Sequence, residues 1–144
     1  MNTLTKYCDI STDGYNGYTD NLTTLQPEDD AATATLGGDA RIPTSAEWRE
    51  MINNTTQTNE TLNGVAGRRF TSKTNGNSIF IPFGGHMDGT NLARGGSTAE
   101  HWTASYGTFV PSTAEMFFAN SSNGSVSNGS RLYGFNIRAV RRSN

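Results

Sequence analysis

The chain has too few cysteines for an internal disulfide bond. Cys8 is the only cysteine among 144 residues, and a disulfide needs two. Packing and hydrogen bonds within the chain must therefore hold the fold together. A single thiol also excludes a metal site built from several cysteines.

Long apolar segments and an excess of charge of one sign are absent as well. No stretch approaches the ~18 apolar residues of a transmembrane helix, and the N-terminal residues lack the apolar region of a signal peptide. We therefore expect no membrane insertion, and any export signal would belong to a longer precursor. With 11 basic and 13 acidic side chains, the net charge of -2 argues against nucleic acid as a partner.

Residues that carry out catalysis or bind metals are scarce. His86 and His101 are the only histidines, and their spacing does not match that of a metal site. The sequence contains neither a Gly-x-Ser-x-Gly nucleophile motif nor a glycine-rich phosphate loop. We predict that the protein is not an enzyme and needs neither a metal ion nor a cofactor.

Residues that favour turns and exposed strands are abundant instead. Only 33% of the residues are hydrophobic and 17% are charged, so Gly, Ser, Thr and Asn dominate the rest. The length fits a single domain, residues 1–144, with a core of its own. This composition predicts little helix and a large share of strands and loops.

A first short helix is predicted over residues 25–34. Pro27 suits its first helical position, where the missing N–H costs nothing, and the acidic residues that follow favour the positive end of the helix dipole. Gly37 and Gly38 lie beyond its end. The acidic residues lack the spacing of a calcium-binding loop, so their role is expected to be structural.

A second helix is predicted over residues 43–54. Thr44 is the expected N-cap, and Glu47 lies three residues further on, the spacing of a capping box. Trp48 falls on the apolar face of this helix together with Met51, so it is assigned to the core rather than to a ligand site.

A β-hairpin is predicted over residues 67–83. The pair Asn75-Gly76 separates two runs typical of strands, and Asn-Gly is the strongest short-range signal for a tight hairpin turn. Pro82 is expected at the end or the edge of the second strand, because proline cannot donate a ladder hydrogen bond.

Residues 86–133 form a long polar segment. Nearly half of them are Gly, Ser, Thr or Asn, with isolated apolar residues between. Short strands are expected around residues 101–105, 114–119 and 124–127. Long loops in a compact domain are commonly functional, which suggests that this segment binds a ligand.

The segment is followed by a predicted closing strand, residues 134–141, in which apolar and polar side chains alternate with a period of two. Such a strand would anchor the polar segment to the fold. Five large side chains are assigned to the core: Trp102, Phe117, Phe118, Phe135 and Ile137.

Several of these motifs together resemble the Fibrobacter-type major paralogous domain family, over roughly residues 7–141. The motifs, in chain order, are Pro27-Glu28-Asp29-Asp30-Ala31-Ala32, Arg41-Ile42-Pro43-Thr44 with Glu47-Trp48, Asn75-Gly76-Asn77-Ser78-Ile79-Phe80-Ile81-Pro82, Gly85, Gly89, Leu92, Trp102 with Ser105, and Gly134-Phe135-Asn136-Ile137-Arg138-Ala139-Val140-Arg141.

This resemblance implies an α+β domain of the C-type lectin-like fold, with two short helices, twisted antiparallel sheets and long irregular loops. The same fold includes the variable proteins of diversity-generating retroelements, whose C-terminal segments are rewritten at adenine-containing codons. By that likeness the chain divides into a scaffold of residues 7–85, a variable display segment of residues 86–133 and the closing strand. Calcium-lectin motifs such as Glu-Pro-Asn are absent, as are the cysteines of the related formylglycine-generating enzymes.

The leading hypothesis is a hypervariable ligand-recognition domain without enzymatic activity. Its receptor would be a protein or a glycan, its location a bacterial cell surface or a phage virion, and a homo-oligomer is compatible with it. We expect Arg94, Tyr106, Phe109 and Tyr133 to anchor the ligand, because aromatic and arginine side chains dominate interface energies. The full candidate surface comprises His86, Met87, Asp88, Thr90, Asn91, Arg94, Thr98, Glu100, His101, Tyr106, Thr108, Phe109, Asn120, Ser122, Asn123, Ser125, Ser127, Asn128, Ser130, Leu132 and Tyr133.

Two alternatives remain open on the sequence. One is an adhesin or carbohydrate-binding module of fixed specificity on a bacterial surface, which the DNA sequence around the gene would distinguish. The other is a structural module of a phage tail or surface fibre, whose loops would make subunit contacts.

Overall fold

A computed structural model describes residues 3–107 and 110–141. In this part of the chain a 3-10 turn at Tyr15–Gly17 precedes two α-helices and eight β-strands. The helices are α1 (Ala31–Leu36) and α2 (Ser45–Asn54). The strands are β1 (Thr55–Leu62), β2 (Val65–Ser72), β3 (Ser78–Pro82), β4 (His86–Asp88), β5 (Asn91–Ala93), β6 (Ala99–Tyr106), β7 (Thr113–Ala119) and β8 (Gly124–Ser130).

The strands within the described residues form three antiparallel sheets, ordered β1-β2-β3, β4-β5 and β6-β7-β8. The predicted class, α+β with two short helices and antiparallel sheets, is confirmed. None of the helices within residues 3–107 and 110–141 is both long and apolar enough to span a membrane.

Helix α2 begins where the sequence predicts. The Thr44 side chain accepts a hydrogen bond from the Glu47 N–H, and the Glu47 carboxylate accepts one from the Thr44 N–H, so the capping box is complete. The same carboxylate accepts two hydrogen bonds from the Arg41 guanidinium. These contacts, the one with Arg41 first, lower the pKa of Glu47 to about 2.

Helix α1 begins later than predicted, at Ala31, so Pro27 is not its first residue and lies in the preceding turn. The reason is Asp30, the actual N-cap. Its buried carboxylate accepts hydrogen bonds from the backbone N–H groups of Ala32, Thr33 and Ile42. One side chain thus starts the helix and holds the chain that follows it, while Gly37 ends the helix as predicted.

The predicted hairpin forms from β2 and β3, with Pro82 as the last residue of β3. The sequence prediction missed β1, which pairs with β2 along its whole length. The connecting turn is Asn63-Gly64, with φ of 50° and 81°. This is a second Asn-Gly hairpin turn.

Residues 86–133 contain β4 to β8, so this segment is built mainly of paired strands. The three strands expected in it, around residues 101–105, 114–119 and 124–127, are confirmed and are longer than predicted. The small β4-β5 hairpin was not predicted. Its strands have only three residues each and carry no extended hydrophobic alternation.

The closing segment, residues 134–141, is not the regular strand that was predicted. It touches the rest of the fold through isolated bridges, of Gly134 to Met87, of Asn136 to His101 and of Val140 to Arg41. Ile137 is 45% exposed, so its assignment to the core is wrong. No neighbouring strand covers this residue because the segment crosses from one element to the next.

The main core lies between α2, the β1-β2-β3 sheet and the β6-β7-β8 sheet. Its buried members are Trp48, Phe70, Ile81, Phe83, Ala99, Phe117 and Ala119. Phe117 and Phe135 are buried as predicted, but Trp102 and Phe118 are only half-buried. Both of these lie on the opposite face of the β6-β7-β8 sheet from the core.

Candidate ligand-binding pocket

The β6-β7-β8 sheet has two faces of different character. His101, Phe117 and Val126 are cross-strand partners, and Phe117 contacts the main core. Side chains alternate between faces along a strand, and directly paired residues share a face. The neighbouring pairs, Glu100 with Phe118 and Phe118 with Ser125, therefore lie on the other face.

That other face is the floor of a pocket of about 510 Å³. Its lining residues are His86, Ala93, Arg94, Glu100, Met116, Phe118, Ser125, Ser127, Asn128, Gly129, Ser130, Tyr133 and Phe135. The β4-β5 hairpin forms one wall, and the chain from Tyr133 to Phe135 forms another. A volume of this size lies within the range of small-molecule sites.

Two backbone positions shape the wall formed by the hairpin. Gly85 has φ of 64°, and a Cβ there would lie 2.1 Å from the Ala93 carbonyl oxygen, so only glycine fits. Arg94 also adopts a left-handed conformation, with φ of 56°, which is costly for a residue with a side chain. This conformation accompanies a turn in which the Arg94 carbonyl accepts hydrogen bonds from the N–H groups of Ser97 and Thr98.

Glu100 is the electrostatic centre of the pocket. Its side chain is 2% exposed, and one carboxylate oxygen accepts hydrogen bonds from Arg94 Nη1 at 3.2 Å and Thr98 Oγ1 at 3.0 Å. The other carboxylate oxygen contacts His86 Nδ1. A buried carboxylate is costly unless it is paired, and here three side chains share it. The arrangement holds His86 and Arg94 at fixed positions in the wall.

Aromatic rings support His86 from the side. Its imidazole lies 4.7 Å from the Tyr133 ring and 5.4 Å from the Phe135 ring, the latter edge to face. Phe135 in turn covers Gly129 of β8, where an added Cβ would lie 2.3 Å from the phenyl ring. Gly129 therefore allows the closing segment to approach the sheet and complete the pocket.

His101, by contrast, lies on the core face of the sheet. Its ring is 5.9 Å from that of Trp48 and 6.0 Å from that of Phe117, and its Nδ1 has no hydrogen-bond partner among the described residues. Burial, assisted by the charge of Arg138, lowers the pKa of His101 to about 4. His101 is therefore a neutral core residue near pH 7, and its place in the candidate surface is wrong.

The pocket brings together eight of the predicted surface residues, which lie far apart in the sequence: His86, Arg94, Glu100, Ser125, Ser127, Asn128, Ser130 and Tyr133. Thr98 is buried behind them and supports Glu100, so it offers no exposed surface. The sequence prediction missed five lining residues, namely Ala93, Met116, Phe118, Gly129 and Phe135. For Met116 and Phe118, the alternation with Phe117 along β7 is a signal that could have found them.

The remaining predicted surface residues lie elsewhere. Met87, Asp88, Thr90 and Asn91 belong to the β4-β5 hairpin but do not line the pocket, and Leu132 is 65% exposed beside it. Tyr106 donates a hydrogen bond to Asp9, and burial together with this contact raises the pKa of Tyr106 to about 12. Thr108 and Phe109 lie outside the described residues.

Asn120, Ser122 and Asn123 form the turn between β7 and β8, away from the pocket. The buried guanidinium of Arg68 holds this turn by donating hydrogen bonds to the carbonyl groups of residues 120, 121 and 122. The Asn120 side chain accepts two more from the N–H groups of Ser122 and Asn123. The turn is thus rigidly attached to the first sheet.

Within residues 3–107 and 110–141, no three His, Cys, Asp or Glu side chains are grouped as a metal site would require. Comparisons of the chain with family models, with characterised proteins and with solved structures find no match.

Proposed function

We propose that this chain is a ligand-recognition domain without enzymatic activity, and that its binding surface centres on the pocket between the β6-β7-β8 sheet and the β4-β5 hairpin. One observation carries the proposal. Side chains chosen from the sequence as candidate binding residues, between His86 and Tyr133, converge on this pocket in the folded chain. Convergent polar groups in a cavity of this size are typical of binding sites.

The state of Glu100 favours binding over catalysis. Its carboxylate is shared by His86, Arg94 and Thr98, so its oxygens are occupied by groups of the protein itself. A general acid or base must exchange a proton with a substrate at hydrogen-bond distance. Glu100 instead acts as an anchor that orients the side chains around it.

We further propose that the fold is C-type lectin-like and that the chain is a variable protein of a diversity-generating retroelement, displayed on a bacterial surface or a phage virion. The layout of the third sheet supports this. Ser125 and Ser127 point away from the core side, where Phe117 and Val126 pack. Substitutions at these positions would change the pocket at little cost to the core.

Sequencing the gene across independent isolates tests the retroelement proposal. We expect adenine-specific substitutions at codons for Ser125 and Ser127, and constant codons for Phe117 and Phe135. A template repeat and a reverse transcriptase gene nearby would accompany them. Substitutions spread evenly over the chain, without regard to the two faces of the sheet, would contradict it.

A further inference from the structure

We infer that the pocket binds a neutral, hydroxyl-rich ligand, a mono- or disaccharide at the end of a glycan. This inference rests on the proposed recognition function and names the ligand class of the same site. Three features of the pocket carry it: its charge balance, its free hydrogen-bonding groups and its aromatic surface.

The charge balance argues against ionic recognition as the main source of affinity. Among the described lining residues, the Arg, Lys, Asp and Glu side chains are Arg94 and Glu100 alone, and these two are paired with each other. A phosphate, sulfate or carboxylate group at Arg94 would be repelled by the Glu100 carboxylate beside it, which already offsets the guanidinium charge. An ammonium group would find the Glu100 carboxylate enclosed by three protein side chains. A neutral ligand meets neither penalty.

The free hydrogen-bonding groups match hydroxyls. The side chains of Ser125 and Ser127 lie on the pocket face of the sheet and make no hydrogen bond with any described residue. His86 contacts Glu100 through Nδ1, and its other ring nitrogen, Nε2, has no partner in the described chain. These groups include both donors and acceptors. Hydroxyls, which donate and accept, are the ligand groups that satisfy such a mixed set.

His86 is buried, and its imidazole ring is held in one orientation. Its side chain is 8% exposed and is fixed by Glu100 on one side and by the rings of Tyr133 and Phe135 on the other. Because Nδ1 contacts the carboxylate, Nε2 is the ring nitrogen left to hydrogen-bond a ligand at the pocket wall. A ligand hydroxyl that bonds to Nε2 would form a hydrogen bond with an imidazole that is already ordered.

The aromatic surface matches the C–H face of a sugar ring. Tyr133 and Phe118 are half-buried and line the same cavity as the serines. An amphipathic ring with an apolar face and a polar edge, such as that of Tyr133, binds ligands that combine both characters. A pyranose has C–H groups on its faces and hydroxyls around its rim, and the pocket offers the complement of each.

An array of immobilised glycans, probed with the labelled full chain, tests the inference. The array carries neutral glycans beside sialylated and sulfated ones. We expect binding to neutral structures, and the methyl glycoside of the best terminal sugar then serves as a soluble ligand for calorimetry. Ser127→Tyr, which fills the pocket, should weaken that binding by about tenfold or more, a loss of about 1.4 kcal/mol.

Ser122→Tyr is the matched control. It makes the same chemical change in the β7-β8 turn, at an exposed position that does not line the pocket. Affinity within about twofold of the parent is expected for it, because no contact with the ligand is altered. Circular dichroism and urea unfolding of both variants establish that each is folded.

Four results would overturn the inference: no binding to any neutral glycan, preference for anionic glycans, equal binding by Ser127→Tyr, or equal loss by the control. A different result would be that no neutral glycan binds, that a purified protein receptor does, and that Ser127→Tyr abolishes the binding of this receptor. That result would reject the saccharide inference and support the recognition function. If NMR of the mixture shows that a bound sugar is chemically converted, the proposal of a function without enzymatic activity is rejected, whereas saccharide binding is supported.

Discussion

The indole ring of Trp48 lies nearly parallel to the phenyl ring of Phe117, with their centroids 4.1 Å apart and 16° between their planes. The edge of Phe70, from the first sheet, meets the same phenyl ring at a centroid distance of 5.8 Å. Phe117 is therefore the side chain on which α2 and both large sheets converge. The pocket floor is the opposite face of the strand that carries it.

Phe117→Ala should strongly destabilise the domain. The residue is fully buried, and a large cavity between three elements cannot close completely. We expect a loss of about 3–5 kcal/mol in the free energy of unfolding, measured by urea titration. Phe117→Leu, which fills most of the volume, should cost less. A loss below about 1 kcal/mol in Phe117→Ala would show that the three elements are held together by other contacts.

Sequence motifs that span only a few residues gave the most accurate predictions of the fold. The capping box of Thr44 and Glu47 and the turn at Asn75-Gly76 depend on residues three or four positions apart, so one sequence contains all the information they need. Strand β1 was missed because its side chains are mostly Thr, Gln, Asn and Glu, without apolar alternation. Its pairing comes from the Asn63-Gly64 turn and from the partner strand β2.

Most of the pocket depends on strand pairing, which local sequence patterns do not specify. Polar composition selected Ser125 and Ser127, which line it, and His101, which is buried in the core. Only the register of β6, β7 and β8 distinguishes the two faces. The positions of His86 and Arg94 depend on a hairpin with three-residue strands, which no hydrophobic pattern indicates.

Arg68→Lys should loosen the β7-β8 turn. Arg68 donates to the side chains of Gln57 and Asn59 and to three carbonyls of the turn, and the ammonium group of lysine cannot reach all of them. We expect faster amide hydrogen exchange at residues 120–123 and a loss of about 2–4 kcal/mol in unfolding free energy, because carbonyls lose a buried donor.

Arg69→Lys is the control for this prediction. Arg69 is the next residue of the same strand, and its guanidinium pairs with Glu60 where both side chains are about 30% exposed. Such a pair contributes at most about 1 kcal/mol, so this variant should leave exchange in the turn unchanged. Equal effects of the two substitutions would rule out a specific clamp by Arg68.

Stability should decrease as the pH falls from 6.5 to 4, because of His101. Its pKa is about 4 in the folded protein, against an ordinary histidine value of 6.5, so the unfolded chain binds more protons between these values. The contribution of the neutral ring is complete above pH 6.5 and is lost as the pH falls, to a total of about 3 kcal/mol near pH 4. Urea titrations at closely spaced pH values measure it.

His101→Leu should flatten this pH dependence. Leucine fills a similar volume without a titrating group, and it removes an Nδ1 atom that has no partner in the described chain. Stability near pH 7 should change by less than about 1.5 kcal/mol, as expected for a swap that keeps volume. An unchanged slope between pH 6.5 and 4 would assign the proton uptake to a different group.

Thr44→Ala should cost about 1 kcal/mol, since the Glu47 N–H loses its side-chain acceptor at the start of α2. Thr44→Ser keeps the hydroxyl and should restore most of the stability. Chemical denaturation of the three proteins under identical conditions gives the comparison. If serine is as destabilising as alanine, the methyl group rather than the cap accounts for the loss.

Arg94→Gly should weaken ligand binding and leave the free energy of unfolding nearly unchanged. Glycine adopts the φ of 56° at this position without strain, which gains about 1–2 kcal/mol, whereas the hydrogen bond to Glu100 is lost and the more flexible unfolded chain raises the entropic cost of folding. These terms nearly cancel, so the unfolding free energy should stay within about 1 kcal/mol of the parent. Sugar binding should weaken by about tenfold, because the side chain that lines the pocket is gone.

Asn63→Gly is the control. It relieves the same backbone conformation, at φ of 50°, in the β1-β2 turn outside the pocket, and it should leave binding unchanged. Full affinity in Arg94→Gly would remove Arg94 from the binding surface, whereas unfolding would show that its contact with the buried carboxylate outweighs the strain of its backbone.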